Sequence, residues 1–333
     1  MLRDLAPNGI RIGSSVVGGG HLAGTANPDP FATDDAYRTL LATQFSSLTP
    51  ENAMKWESLE PKQGVFDFTA ADAVVDFALQ HGQQVRGHNL MWYQQNPTWL
   101  TTGTFTKAQL SQILHTYIST VVGHFKGKIT AWDVANEIFD DNGNLRQGNP
   151  FTDALGIGAV ADAFRWAHQA DPDAVLYLND YGLEDNGVKV NAYLTLVTQL
   201  QTEGVPIGGM GFEGHLSLEY SFSGLAAATN MTRFTSLGLD VAITELDVRI
   251  PLKGGTPTDA QLAQQADYFR QAVQACLTVD RCRSVTFWGS PDPYSWVPST
   301  FPGNGAATMF ATVTAPKPAF TAVADTLAAD AGR

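Results

Sequence analysis

Two short apolar segments of the chain each lead directly into a glutamate. Residues 241–244 (VAIT) precede Glu245, and residues 129–136 (ITAWDVAN) precede Glu137. Both segments are rich in apolar and β-branched residues, which favours short strands buried on both faces. A single glutamate at a strand end is more often structural than catalytic. Two strands that each present a glutamate at the same end of a sheet would supply the carboxyl pair that acid/base chemistry on a glycosidic bond requires.

The elements that would position this pair alternate along the whole chain. Strands are predicted at residues 10–17, 47–51, 84–91, 129–136, 175–178, 209–212, 241–247 and 284–288. Helices are predicted at residues 31–45, 69–81, 106–125, 153–169, 186–201, 223–237, 259–277 and 318–327. A doubly wound open sheet alternates in the same way, but eight units in 333 residues favour an α/β fold of the closed (β/α)8 TIM-barrel type. No composition break interrupts the chain, so we predict a single catalytic barrel domain over residues 1–333.

The composition argues against several classes of protein. With 44% hydrophobic residues the chain can bury a sizeable core. Its net charge of −13, without any Lys/Arg run, argues against nucleic-acid binding. No apolar run is long enough to span a membrane, so we expect no membrane partner. The first nine residues lack the apolar core of a secretion signal, which indicates an intracellular start or a mature chain with an added Met.

The two cysteines, Cys276 and Cys282, lie six positions apart near the end of a predicted helix. Their spacing matches no common metal-binding pattern, which leaves a local disulfide or two buried thiols. We favour the disulfide. It would indicate a secreted, extracellular protein whose signal peptide has been removed.

Polar and aromatic side chains gather at the predicted carboxyl ends of the strands, the face on which TIM barrels carry their chemistry. Amides and carboxylates suit sugar hydroxyls, and indole faces stack on pyranose rings, so we predict a carbohydrate ligand. Taken singly, each residue has a structural alternative: Trp132 could be ordinary core, and His88 or His215 a hydrogen-bonded core histidine. A metallohydrolase is disfavoured because the chain has no H-x-H or H-E-x-x-H pattern, so we predict no metal and no cofactor.

Ordered blocks across nearly the whole chain resemble glycoside hydrolase family 10, whose best-known members are endo-β-1,4-xylanases. The matching blocks are residues 51–56 (ENAMKW) with 60–61 (EP), 87–92 (GHNLMW), 132–137 (WDVANE), 178–181 (LNDY), 243–247 (ITELD) and 294–296 (YSW). The pair Cys276 and Cys282 also resembles a disulfide common in that family.

Carried over residue by residue, the resemblance implies that Glu137 is the general acid/base and Glu245 the nucleophile of a retaining enzyme. Asn136 would donate to the sugar 2-hydroxyl, and His215 would orient Glu245. The residues implied to surround the sugars on the non-reducing side are Glu51, Asn52, Lys55, His88, Trp92, Gln95, Asn136, His215, Trp288 and Trp296. Tyr181 and Glu213, at the same strand ends, complete the predicted substrate-binding set.

Three positions depart from the family's usual pattern. Tyr93 stands where His is usual, Glu213 where Gln is usual, and Val297 where a basic residue is common. Glu213 would bring a third carboxylate close to Glu245, where like charges cannot all ionise without cost. We expect these changes to alter the subsites. Restoring Glu213→Gln should then change substrate preference or the acidic limb of the pH–rate profile.

Three functions fit these residues. The first is a retaining endo-β-1,4-xylanase that acts as a monomer on xylan, a β-linked plant polysaccharide. The second uses the same mechanism to release a disaccharide or to cleave an aryl or aglycone β-glycoside. The third, a carbohydrate-binding barrel without activity, is disfavoured because binding alone requires neither Glu137 nor Glu245.

Overall fold

Eight parallel strands close into a barrel within the part of the chain that the computed structural model describes, residues 1–7, 9–18, 29–185, 187–252 and 254–331. The strands are β1 (Arg11–Val16), β2 (Ser47–Pro50), β3 (Gln84–His88), β4 (Ala131–Asn136), β5 (Val175–Asp180), β6 (Gly209–Phe212), β7 (Asp240–Pro251) and β8 (Cys282–Phe287). Each pairs with the next, and β8 pairs back with β1, where Ile12 lies opposite Val285. The predicted (β/α)8 barrel is confirmed.

A helix follows each strand and packs outside the barrel. These helices are α1 (Asp35–Gln44), α2 (Thr69–Gln80), α3 (Lys107–His124), α4 (Gly158–Ala170), α5 (Val188–Thr202), α6 (Gly224–Thr235), α7 (Asp259–Thr278) and α8 (Pro318–Ala331). Shorter helices occur at Leu2–Leu5, Pro30–Thr33, Trp56–Leu59, Thr98–Thr102, Pro150–Leu155 and Val297–Thr300, with a 3-10 turn at Asp292–Tyr294. Short strands occur at His215–Ser217, Asn304–Gly305, Phe310–Thr312 and Ala315–Pro316.

Local capping explains where several helices begin. The predicted helix 31–45 is divided in two because Asp34 caps α1, its carboxylate accepting from the backbone amides of Ala36 and Tyr37. Helices α3 and α7 each begin with a reciprocal capping box, formed by Thr106 and by Thr258. The long helices α3 and α7 therefore begin at positions that the sequence predicts.

The core lies between the strands and the helices, and Trp132 belongs to it. This β4 side chain is fully buried, with its ring centroid 6.2 Å from that of Phe125 at the end of α3. A Cβ at Gly87 on the neighbouring strand would lie 2.2 Å from the Trp132 ring, so the glycine makes room for the indole. The structure thus supports the core interpretation of Trp132 rather than a sugar-binding one.

Strand β7 is longer than predicted. The sequence suggested that the strand ends at Asp247, with Glu245 at its carboxyl end, but the strand runs from Asp240 to Pro251. Its first half pairs with β6 and β8 inside the barrel, and its second half pairs with His215–Ser217 and Asn304–Gly305. Glu245 lies where the strand leaves the barrel wall, so it still reaches the carboxyl-end rim.

The predicted disulfide is present, linking Cys276 near the end of α7 to Cys282, the first residue of β8. Among the described residues, no helix is long and apolar enough to cross a membrane.

Candidate active site

Glu137 follows directly on β4, at a turn where its backbone adopts a positive φ of 50°. Its amide donates to the carbonyl of Asn179 at 2.9 Å, and its carbonyl accepts from Arg146 Nε at 2.8 Å. The next amide, of Ile138, donates to the hydroxyl of Tyr193 at 3.2 Å. A left-handed conformation of a residue other than glycine costs about 1–3 kcal/mol and needs such support from its surroundings. These contacts aim the carboxyl group over the barrel mouth.

The surroundings of Glu137 favour its protonated form. Burial, together with the negative charges of Asp180 and Glu245, raises the pKa of Glu137 to about 7. Asp180 is itself fully buried, and Lys189 Nζ lies 2.7 Å from its carboxylate. Glu137 can therefore keep its proton in mildly acidic solution and donate it to a substrate.

The surroundings of Glu245 favour its ionised form. Asn179 Nδ2 donates to its Oε1 at 2.8 Å, His215 Nε2 lies 3.3 Å from its Oε2, and His88 Nδ1 lies 3.8 Å from Oε1. Burial acts to raise the pKa of Glu245, but the electrostatic attraction of His88 and His215 outweighs it and holds the pKa below its ordinary value. The two carboxyl groups therefore have pKa values shifted in opposite directions, which is the pattern expected of a pair made of a general acid and a nucleophile.

Each imidazole is held by a buried carboxylate of its own. His215 Nδ1 lies 3.1 Å from Asp247 Oδ2, which also accepts from Trp296 Nε1 at 2.7 Å. Burial acts to lower the pKa of His215, but the carboxylates of Asp247 and Glu245 outweigh it and raise the pKa to about 10. His215 is therefore a fixed cation at working pH.

On the other side of Glu245, His88 Nδ1 lies 3.0 Å from Asp133 Oδ2, and Asp133 is bound in turn by Arg86 Nε at 3.1 Å. Burial acts to raise the pKa of Asp133, but Arg86 and the hydrogen bond with His88 outweigh it and lower the pKa. Asp133 thus remains charged inside the barrel and fixes the orientation of His88.

A second cluster of buried polar side chains follows β2. Burial raises the pKa of Glu51 to about 7 against the attraction of Lys55, and burial lowers the pKa of Lys55. Asn52 Oδ1 accepts from Lys55 Nζ at 3.4 Å and from Gln95 Nε2 at 3.1 Å. The Lys55 ammonium lies 4.7 Å from the centre of the Trp92 ring. Hydrogen bonds thus join Asn52 to Lys55 and to Gln95, and the polar side chains of this cluster offer both donors and acceptors to sugar hydroxyls.

Comparison with known proteins decides the family. The model of glycosyl hydrolase family 10 matches residues 14–326. The chain belongs to glycosyl hydrolase family 10. It is 43% identical over 303 residues to endo-1,4-beta-xylanase C of Phanerodontia chrysosporium, which covers 90% of this chain and 75% of that protein.

Solved structures of the family are similar throughout their length. Native xylanase 10B from Thermotoga maritima superimposes with a TM-score of 0.92 at 36% identity, covering 99% of both chains. Xylanase 10B from Thermotoga petrophila RKU-1 in complex with xylobiose gives a TM-score of 0.91 at 36% identity, covering 98% of this chain and 96% of that one. The chain is accordingly a glycoside hydrolase of family 10.

The aromatic residues of this family 10 chain lie around the same mouth. The Trp288 ring faces the rings of both His88 and His215 edge-on, with centroids 5.3 and 6.5 Å apart. The Trp296 ring lies 4.8 Å from that of His215. On the Glu137 side, Arg146 donates to the Tyr181 hydroxyl at 2.9 Å. The predicted site residues are thus brought together in one cleft; their individual roles stay predictions.

The three departures from the family pattern have different surroundings. The Tyr93 ring lies beneath Arg146, whose guanidinium carbon is 4.7 Å from the ring centre. Val297 is fully buried and follows Trp296 directly in the chain. Glu213, also buried, lies inside the cleft: Asn179 Nδ2 donates to its Oε1 at 3.1 Å, and His215 Nε2 lies 3.7 Å from its Oε2.

Glu213 is the third carboxyl group that the sequence placed close to Glu245. Burial and the negative charges of Glu245 and Glu137 raise the pKa of Glu213 well above its ordinary value. The side chain is therefore protonated where Glu245 is ionised. The expected effect of Glu213→Gln on substrate preference or on the acidic limb of the pH–rate profile stays a prediction.

Asn179 has a larger role than the sequence indicated. Its Nδ2 lies within hydrogen-bond distance of Asn136, Glu213 and Glu245, and its Oδ1 accepts from Thr244 Oγ1 at 2.6 Å. A Cβ at Gly211 would lie 2.1 Å from Asn179 Oδ1, so only glycine leaves room for this amide.

A sequence signal existed for Asn179 and for Asp133. Both are polar residues inside otherwise buried strands, where an unpaired polar group is costly and a partner is therefore required. The identity of the partners depends on neighbouring strands and could not be read from the segments alone.

One group of side chains could hold a metal ion. Within the described residues, Glu213, His215 and Glu245 each offer one ligand atom, and these atoms lie within 4.8 Å of one another. This group forms no H-x-H or H-E-x-x-H pattern, because two of its side chains lie at the rim after β6 and the third lies on β7.

Proposed function

We propose that this chain is a retaining endo-β-1,4-xylanase that cleaves xylan by double displacement. The observation that carries the proposal is the carboxyl pair at the barrel mouth: the pKa of Glu245 is lowered, and that of Glu137 is raised to about 7. Similarity to an endo-1,4-beta-xylanase, and to a xylanase solved in complex with xylobiose, supports xylan as the substrate. A protein that only binds carbohydrate would not need two carboxyl groups whose pKa values are shifted in opposite directions.

In the first step, ionised Glu245 attacks C1 of the sugar while Glu137 gives its proton to the leaving glycosidic oxygen. The products are a covalent ester between sugar and Glu245 and the released half of the polymer. In the second step, Glu137, now a carboxylate, removes a proton from water as that water attacks C1 and frees Glu245. Two inversions give net retention of the β-configuration.

Other residues hold the sugar in place during both steps. Asn136, fixed by its contact with Asn179 at 2.8 Å, is placed to donate to the 2-hydroxyl, an interaction that strengthens in the transition state. The polar side chains of the pocket on the non-reducing side are those of Glu51, Asn52, Lys55, His88 and Gln95. The aromatic side chains of that pocket are Trp92, Trp288 and Trp296, and Tyr181 lies on the Glu137 side.

The proposal extends to the form of the protein. We propose that it is a single barrel domain and acts as a monomer. The disulfide between Cys276 and Cys282 supports secretion, because such bonds persist in oxidising compartments.

The test compares initial rates on xylan, xylo-oligosaccharides, and aryl β-glycosides of xylose, xylobiose, glucose and disaccharides. NMR follows the anomer that is formed first. An endo-xylanase shortens xylan internally and releases β-products. An α-product would exclude double displacement. Selective hydrolysis of aryl glucosides or exclusive release of one disaccharide would favour the alternative substrates.

Variants of the two carboxyl groups separate their roles. Glu245→Ala should lose almost all activity on every substrate, because no glycosyl-enzyme can form. Glu137→Ala should lose activity on xylan but retain much more on aryl glycosides, whose leaving groups need little protonation. Glu219→Gln, an exposed carboxyl change on the loop after β6, is the matched control and should behave like the unaltered protein. Equal losses on both substrate types in Glu137→Ala would contradict its role as the acid.

A further inference from the structure

The side chains of Glu213, His215 and Glu245 converge from two strand ends in a way that hydrolysis alone does not require. His215 Nε2 is the centre of the group, 3.3 Å from Glu245 Oε2 and 3.7 Å from Glu213 Oε2. A tetrahedral zinc ion with bonds of about 2.0–2.1 Å keeps its ligand atoms about 3.3–3.4 Å apart. The spacing of these three atoms, all within 4.8 Å of one another, is therefore close to what one ion needs.

The surroundings of the imidazole match those of a metal ligand. Asp247 Oδ2 lies 3.1 Å from His215 Nδ1, on the side of the ring away from the two glutamates. That carboxylate keeps a proton on Nδ1, so Nε2 is the nitrogen available to a metal once its own proton has been displaced, and the carboxylate raises the basicity of the ligand. Trp296 donates to the same Asp247 oxygen at 2.7 Å and holds it in place.

The donor set and the access route narrow the class of ion. One imidazole nitrogen and two carboxylate oxygens suit zinc and similar transition metals, whereas calcium and magnesium prefer six or more oxygen ligands. Glu213 and Glu245 are more than nine-tenths buried, but His215 is 13% exposed and opens the group to the substrate cleft. Three protein ligands leave a fourth position for water from that cleft.

We propose that Glu213, His215 and Glu245 bind a divalent transition-metal cation of the zinc class, and that the bound cation competes with the sugar for the nucleophile. Glu213 is one of the three departures named above, at a position where the resemblance to the family implies a neutral glutamine. An amide oxygen carries no charge and is a much weaker ligand than a carboxylate. Binding requires Glu213 in its ionised form and His215 Nε2 without its proton, so the cation displaces one proton from each of these two groups and both protons leave to solvent.

Calorimetric titration of the full chain with zinc chloride at fixed pH tests the site without any need for hydrolysis. We expect one site in the unaltered protein and an affinity at least about 10-fold weaker in Glu213→Gln, since even changes outside the ligand set cost 10–100-fold. Glu219→Gln, which removes a nearby exposed carboxylate, should bind zinc unchanged, and magnesium chloride should give no binding. Equal zinc affinity in Glu213→Gln, or an equal loss in Glu219→Gln, would overturn the proposal.

Two further measurements locate the ion and its effect. Anomalous diffraction at the zinc edge from zinc-soaked crystals should place the ion between the three side chains; a peak elsewhere overturns the site. Competition with the sugar rests on the proposed function, and zinc should then raise KM for xylan with kcat unchanged. Zinc bound at the site without a rise in KM would overturn the competition, and failure to hydrolyse xylan would overturn the proposed function but not the calorimetric result.

Discussion

Replacing His215 by glutamine should remove a positive charge from the nucleophile while keeping a hydrogen-bond donor near the position of Nε2. That nitrogen lies 3.3 Å from Glu245 Oε2, and burial within the cleft limits screening by solvent. At an effective dielectric constant of about 20, two unit charges at this distance attract each other by about 5 kcal/mol. The glutamine amide would restore about 1.5–3 kcal/mol through its hydrogen bond to the carboxylate. The remainder corresponds to a rise of about 2 units in the pKa of Glu245.

The sign of the effect on activity follows from the mechanism. In the proposed mechanism Glu245 reacts only when ionised, so activity is lost as pH falls through its pKa, which lies below the ordinary value in the unaltered protein. In His215→Gln the acidic limb should move up by about 2 pH units. The acidic limb would then lie close to the alkaline limb, which Glu137 is expected to set near pH 7. The bell-shaped profile of kcat/KM against pH should therefore become narrower, and its maximum should fall.

The assay is kcat/KM on an aryl β-xylobioside as a function of pH, with thermal unfolding measured in parallel. His168→Gln makes the same substitution at an exposed position in the last turn of α4 and should leave both limbs in place. If kcat/KM of His215→Gln falls equally at every pH and the position of the acidic limb is unchanged, the reasoning is refuted. His215 would then hold Glu245 in position without setting its pKa.

Three further predictions concern the acid, the strand packing and the disulfide. Since Glu137 must be protonated and its pKa is raised to about 7, kcat/KM on xylan should fall as pH rises through about 7; an alkaline limb far above that value would contradict the assignment. In Gly211→Ala the new Cβ would lie 2.1 Å from Asn179 Oδ1, so it should displace the Asn179 amide and lower kcat by about 100-fold. In the control Gly123→Ala, on α3, the new Cβ would have no atom within 4 Å, so kcat should be unchanged. Replacing both Cys276 and Cys282 by serine should lower the free energy of unfolding by about 2 kcal/mol and the thermal midpoint by about 3 °C, and an unchanged midpoint in calorimetry would show that the short loop is already ordered without the bond.

The barrel and its rim residues could be predicted because their signals are local. Each strand is a short apolar run, each helix has its own periodicity and cap, and eight such pairs leave few architectures. Parallel strands of a barrel end at one rim, so Glu137 and Glu245 had to lie on the same face whatever their exact spacing. The spacing of the two cysteines was also sufficient to favour the disulfide that the structure contains.

The pKa values and the partners of the buried groups depended on tertiary structure. Asn179 reaches three side chains because β5 lies between β4 and β6, and because Gly211 leaves space that no local pattern reveals. The pKa of Glu137 is raised by burial and by charges from β5 and β7, which are distant in sequence. Glu213 was visible as an unusual residue, but only the packed cleft places it between Asn179 and His215.

The amino-acid sequence thus determined which side chains lie at the barrel mouth, because the apolar runs predict where each strand ends and the alternation of strands with helices makes all strands parallel. Which of them carry protons and charges was decided by folding. Burial and Coulomb interactions act through space, between groups that only the closed barrel brings within a few ångströms.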